Sequence, residues 1–112
     1  MSIARLVTDD SFEAEVLASA RPVIVEYWAD WCGPCRQLAP VLESLAADYA
    51  DAVDLVKINV DENPATAGKY GILHVPTVSV FTGGVVVKQV VGARPKSALL
   101  REFAEVLEPS AD

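Results

Sequence analysis

The only two cysteines of the chain, Cys32 and Cys35, are separated by Gly33-Pro34 alone. This bounds the fold at once. A cross-link stabilises mainly by closing a loop, and the effect shrinks with the loop. A bridge of this span cannot staple a domain, so the chain must hold itself together by burying apolar surface. It has the means: 112 residues, 52% of them hydrophobic, suffice for one domain with its own core and no structural metal. The close pair is therefore suited to chemistry rather than architecture, and that chemistry is thiol–disulfide exchange.

The apolar pattern gives the elements. Asp10 with Glu13 fits a capping box and predicts a short helix to about Ala18, broken by Arg21-Pro22. Val23 to Trp28 is a β-branched and aromatic run with one carboxylate, Glu26, and reads as a buried strand. Leu38, Val41, Leu42, Leu45, Ala46 and Tyr49 recur at helical spacing, predicting a long helix from near Cys32 or Pro34. Pro40 falls inside it and should kink it. Val53 to Val60 is a second strand, and Asn63-Pro64 opens a short helix ended by Gly71. Thr77–Thr82 and Val85–Val91 flank Gly83-Gly84, a tight hairpin. Pro95 opens a last helix with Leu99, Leu100, Phe103, Val106 and Leu107 facing inward. Phe12, Phe81 and Phe103 read as core. This order predicts an α/β domain spanning residues 1–112. Its mixed central sheet has parallel crossovers, one antiparallel hairpin and helices on both faces. Residues 109–112 read as a frayed tail.

Charge narrows the function classes. The net charge is −7, from 16 acidic and 9 basic residues, and the basic ones never cluster between Arg5 and Arg101. That argues against a nucleic-acid surface and an anionic membrane face. No apolar run approaches a membrane span, and the N-terminus lacks the pattern of a signal peptide. A reducing cytoplasm is the expected location, with the cysteines spending time as free thiols.

The exchange chemistry needs a thiolate near neutral pH. The expected strand-to-helix junction puts Cys32 beside unpaired backbone N–H groups and the positive end of a helix dipole. Cys35 falls about one turn further in, near Cys32 but more buried, so Cys32 would attack and Cys35 would resolve. Gly33 allows close approach of a partner chain, and Pro34 stiffens the junction while giving up a donor that would be orphaned there. The competing reading is metal ligation. Tetrahedral zinc takes four ligands, and Cys32, Cys35 and His74 supply three, so a closed site would need a second subunit.

The run Trp28-Ala29-Asp30-Trp31-Cys32-Gly33-Pro34-Cys35 resembles the active-site motif of the thioredoxin family. Val75-Pro76-Thr77 resembles that family's cis-proline loop and Val91-Gly92-Ala93 the glycine loop beside it. Val56 to Asp61 and Lys69 to Ile72 also fit, so the likeness runs from about Leu6 to Leu107. The resemblance implies the thioredoxin fold and a general protein-disulfide reductase without a bound cofactor. Its electrons would come from NADPH through the flavoprotein thioredoxin reductase. It also implies clients such as ribonucleotide reductase, methionine sulfoxide reductase and peroxidases. A monomer is the default state. Two further hypotheses stand beside it. An oxidant or isomerase is disfavoured by Gly33-Pro34, where oxidising relatives tend to carry a His. A binding module with incidental thiols would tolerate loss of both cysteines.

Several residues around the motif gain expected roles. A central strand covers both of its faces, so Glu26 should be buried with a raised pKa and able to relay a proton to Cys35. The family usually has Asp here. Lys57, in the neighbouring strand, is the expected ion-pair partner of Glu26 or a snorkelling surface lysine. Base rates make Val75-Pro76 trans. The resemblance implies cis, which would turn the Val75 backbone toward Cys32 to pair with an extended substrate. His74 should sit on the rim of the site, solvated or tuning Cys32. Trp31, Val60, Ile72, Val75, Pro76, Gly92 and Ala93 would form a flat apolar docking patch around Cys32. Trp28 should pack beneath the motif.

Overall fold

The computed structural model describes residues 4–108, so the expected tail at 109–112 lies outside the described residues. A five-stranded sheet runs in the order β1-β3-β2-β4-β5. Its strands are β1 (Arg5–Leu6), β2 (Val23–Trp28), β3 (Asp54–Asn59), β4 (Thr77–Thr82) and β5 (Val85–Val91). β1 and β2 pair parallel to β3, whereas β4 is antiparallel to both β2 and β5. The sheet is thus mixed, and β2, which leads into the cysteines, is central.

Strand alternation sorts β2 and β3 onto two cores. Val23, Val25 and Tyr27 join Val56 and Ile58 against Phe12, Val16 and Phe81. Ile24 and Leu55 face the other way. They pack with Leu38, Leu42 and Leu45 of α1 (Gly33–Asp48) and with Leu99 of α3 (Lys96–Glu102). On that second face the next positions are Glu26 and Lys57, direct register partners. The apolar layer therefore turns polar toward the end of the sheet that carries the cysteines. Helix α1 runs on through Pro40 to Asp48, its stripe of leucines fully buried.

Two expectations change. The capping box at Asp10 and Glu13 does not form. A single π-helical turn, Glu13–Leu17, follows Phe12 without a side-chain cap. The preceding turn closes on itself instead, with the Thr8 N–H donating to Ser11 Oγ at 2.9 Å and the Ser11 N–H to Thr8 Oγ1 at 3.2 Å. The neighbouring Asp9 caps another helix altogether, α2 (Pro64–Lys69). Its carboxylate accepts from the N–H groups of Ala65 at 3.2 Å and Thr66 at 2.8 Å. The Thr66 side chain, with these two backbone bonds adding to it, holds the Asp9 pKa below its ordinary value. The last helix is also divided, into α3 and α4 (Ala104–Leu107), because Phe103 leaves helical geometry at φ −101°. The inward stripe survives the break, since Leu107 N–H still bonds the Phe103 carbonyl four residues back. β1 leaves no mark in the sequence pattern, because its two residues are too few for alternation to register.

The hairpin depends on Gly84. Its φ is +81°, and a Cβ built there would lie 3.1 Å from the Leu17 carbonyl oxygen. Gly83 also has positive φ but open space around it. Gly84→Ala is expected to destabilise the protein by about 2 kcal/mol, more than Gly83→Ala. Urea unfolding of the two variants checks this, and equal midpoints would contradict it.

Candidate active site

Cys32 occupies the N-cap of α1, with φ −92° and ψ 103°. Its Sγ accepts a hydrogen bond from the Cys35 backbone N–H at 3.1 Å. A sulfur held there meets the first free amides of the helix and the positive end of its dipole, which together favour the thiolate. Pro34, in the first turn, contributes no competing N–H. Cys35 follows one turn later, its Cα 5.3 Å from that of Cys32, and the two sulfurs are joined as a disulfide.

Burial does not separate the two cysteines as expected: each is 3% exposed. Ala29, Trp28, Val60 and Val75 pack around the pair and cover Cys32 as fully as Cys35. The asymmetry lies instead in what surrounds each sulfur. Cys35 lines an inner cavity of about 170 Å³ with Glu26, Trp28, Lys57, Ala29, Asp30, Arg36 and Ala39. Cys32 does not line it. Trp31, Val60, Ile72, Leu73, His74 and Val75 line an outer groove of about 290 Å³.

Within the inner cavity, Glu26 is 3% exposed. Burial pushes its pKa up to about 7, against a smaller lowering by Lys57 and a further rise from Glu43. The expected direct ion pair with Lys57 is not formed: among the described residues no Glu26–Lys57 contact falls within 4.0 Å. The Lys57 ammonium lies 4.8 Å from the centre of the Trp28 ring instead. The two side chains share a face and a register, yet the aromatic ring, two residues along β2 from Glu26, takes the cation.

The outer groove gathers Trp31, Val60, Ile72, His74 and Val75, as the sequence suggested. Trp31 is 69% exposed and its Nε1 donates to Asp61 Oδ2 at 2.8 Å. His74 is exposed, and its carbonyl accepts from the Thr77 hydroxyl at 2.6 Å. The Val75–Pro76 bond is cis. Gly92 N–H donates to the Pro76 carbonyl at 2.8 Å, tying the glycine loop to the proline loop. Pro76 itself is buried, whereas Ala93 is exposed. Pro34 is exposed and Gly33 half-buried at the start of α1, and neither lines the groove. Trp28 is half-buried against the cysteines, as expected.

Two residues of this face went unread in the sequence. Leu73 is 86% exposed, the barest large apolar side chain among the described residues. Its signal was a leucine standing outside every periodic stretch. Asp61 fixes the Trp31 ring, and nothing in its spacing announces a partner thirty residues away. No group of three metal-ligating side chains occurs among the described residues, and no helix is long and apolar enough to cross a membrane.

A strand-to-helix junction that holds a disulfide of two close cysteines, beside a cis-proline loop and an apolar groove, defines a thiol–disulfide oxidoreductase domain. The comparison with known proteins sharpens that class. The family profile described as "Thioredoxin" matches residues 3–105. The chain is 56% identical over 99 residues to thioredoxin of Streptomyces clavuligerus, covering 88% of this chain and 92% of that one. It is 52% identical over 99 residues to thioredoxin 1 of Synechococcus elongatus, with the same coverage. To thioredoxin of Mycolicibacterium smegmatis it is 50% identical over 103 residues, covering 90% and 92%. The chain belongs to the thioredoxin family and is a protein-disulfide oxidoreductase that works through its Cys32–Cys35 pair.

Proposed function

We propose that the protein is a general disulfide reductase of the cytoplasm, acting as a monomeric dithiol electron carrier. The observation that carries this reading is Cys32 as the N-cap of α1, its sulfur on a backbone amide and bonded to Cys35. In the reduced protein the Cys32 thiolate attacks one sulfur of a client disulfide. A mixed disulfide forms and the other client sulfur leaves as a thiolate. Cys35 loses its proton and attacks Cys32 Sγ, re-forming the intramolecular disulfide and releasing the second client thiolate. Two electrons pass to the client, and thioredoxin reductase supplies two more from NADPH to reduce the Cys32–Cys35 disulfide again. No metal or bound cofactor takes part.

Glu26 accepts the Cys35 proton across the inner cavity. A carboxyl titrating near neutrality beside the resolving thiol suits that task. Lys57, in the same cavity, sets the local field. Clients dock on Trp31, Val60, Ile72, His74 and Val75, with Pro76, Gly92, Ala93, Gly33 and Pro34 bordering the sulfur. Apolar surface left open on a small domain marks a protein-binding face. Ribonucleotide reductase, methionine sulfoxide reductase and peroxidases are the proposed clients.

Insulin reduction coupled to NADPH and a bacterial thioredoxin reductase tests the reading. Trp31→Ala should raise the KM for insulin about tenfold, the loss of one aromatic anchor. Its reaction with a small aromatic disulfide, which needs no docking face, should be unchanged. Equal losses toward both substrates would overturn the docking face. Wild-type protein that fails to turn over insulin would overturn the reductase reading.

A further inference from the structure

We propose that Trp28 is a positioning residue that competes with Glu26 for the Lys57 ammonium and keeps that carboxyl unpaired beside Cys35. The inference rests on the proton-relay reading of Glu26 and adds a residue that controls it. Alternation along β2 sends Glu26 and Trp28 out of the same face, and register with β3 brings Lys57 to that face directly opposite Glu26. Three side chains thus line one cleft with Cys35. The ammonium has two acceptors to choose from, a carboxylate and an aromatic face, and it lies over the ring at 4.8 Å.

The indole is not oriented by its polar atom, since Trp28 Nε1 is buried without a hydrogen-bond partner. Packing against Ala29, Cys32 and Cys35 fixes it, and its face is what it offers to the cation. The other groups facing Glu26 do not replace Lys57. Helix α1 contributes Glu43, which raises the Glu26 pKa, together with Cys35 and Arg36. The Arg36 guanidinium donates to the Asp30 carbonyl at 2.7 Å. Strand β4 offers Val78 opposite Glu26, and Asp30 is the remaining charge on the cavity wall. An ammonium settled on Glu26 would hold the carboxylate charged and spoil it as a proton acceptor that cycles near neutral pH.

The test is a double-variant cycle read by carbon-13 titration of the Glu26 carboxyl in the oxidised protein. Trp28→Leu should release Lys57 toward Glu26 and raise the proton-dissociation constant of Glu26 about tenfold. Lys57→Met should lower that constant. In the Lys57→Met background, Trp28→Leu should have no further effect, and Trp28→Phe should fall between wild type and Trp28→Leu. The same rise with and without Lys57 would mean that water entering the cavity acts, and the proposal would fail. Should Trp28→Leu not fold, fluorinated indole at position 28 in a Trp31→Phe background weakens the ring face without changing its shape. A Glu26 titration unmoved by fluorination would also overturn the proposal. The relay reading is checked apart from this. If Glu26→Gln keeps the wild-type pH profile of mixed-disulfide resolution, the relay fails while the Trp28–Lys57 coupling stands on the titration alone.

Discussion

Reduced Cys35→Ser protein, offered a client with an accessible disulfide, is expected to stop at a covalent adduct through Cys32. Cys32→Ser is expected to form none, and insulin reduction should fall by about 10³-fold or more in either variant, since the two sulfurs act as a unit. The asymmetry follows from position along α1. Cys32 is the cap whose sulfur meets a free amide, whereas Cys35 lies one turn inside and faces the cavity of Glu26 and Lys57. Only the first gains from the helix terminus as an anion. Only the second shares its cavity with a carboxyl, that of Glu26. Non-reducing gels and mass spectrometry of the trapped species read the outcome directly. Adduct formation by Cys32→Ser and none by Cys35→Ser would reverse the roles.

The second large effect concerns stability and pH. Glu26 titrates near 7 in the folded protein, against 4.5 as the reference for the unfolded chain. The folded state therefore binds the proton more tightly. Its contribution to stability is fully present below about pH 4.5 and is lost as pH rises through 7. The whole loss is about 3 kcal/mol, because the folded state must then hold a buried anion. Glu26→Gln removes the titration. Relative to wild type, the variant should gain about 3 kcal/mol between pH 4 and pH 9, and most of that gain should appear between pH 5 and pH 8. Any fixed cost of burying the amide shifts both ends equally and leaves this difference intact. Urea denaturation across the pH series measures it, and parallel curves for the two proteins would contradict a buried, raised carboxyl.

The elements that the sequence made legible are those whose pattern is local. The apolar run of β2, the leucine stripe of α1 and the Gly83-Gly84 hairpin each carry their period within a few residues, and β4 and β5 fall at the expected bounds. The cysteine pair and the strand-to-helix junction are local too. What the sequence hid is long-range. Asp9 caps a helix more than fifty residues away, so the local capping signal at Asp10 and Glu13 pointed to the wrong partner. Charge and a neighbouring strand offer Lys57 to Glu26 or to solvent, but the ammonium lies over the aromatic ring two residues along β2 from Glu26. Equal burial of the two cysteines depends on Val60 and Val75, which arrive from separate loops. The outer groove is likewise assembled from three stretches of chain, and Leu73 joins it by exposure alone.

The Cys32–Cys35 pair is expected to give electrons to clients. Its reduction potential, measured by equilibration with glutathione, tests this most directly. Neither Gly33 nor Pro34 brings a cation to the thiolate, both cysteines are buried, and Lys57 is engaged with Trp28. Little beyond the helix terminus stabilises the reduced pair, so the disulfide should be hard to reduce. The expected potential lies below the cytosolic glutathione poise of roughly −220 to −260 mV. A potential well above that poise would make the protein an acceptor of electrons and contradict the reductase account.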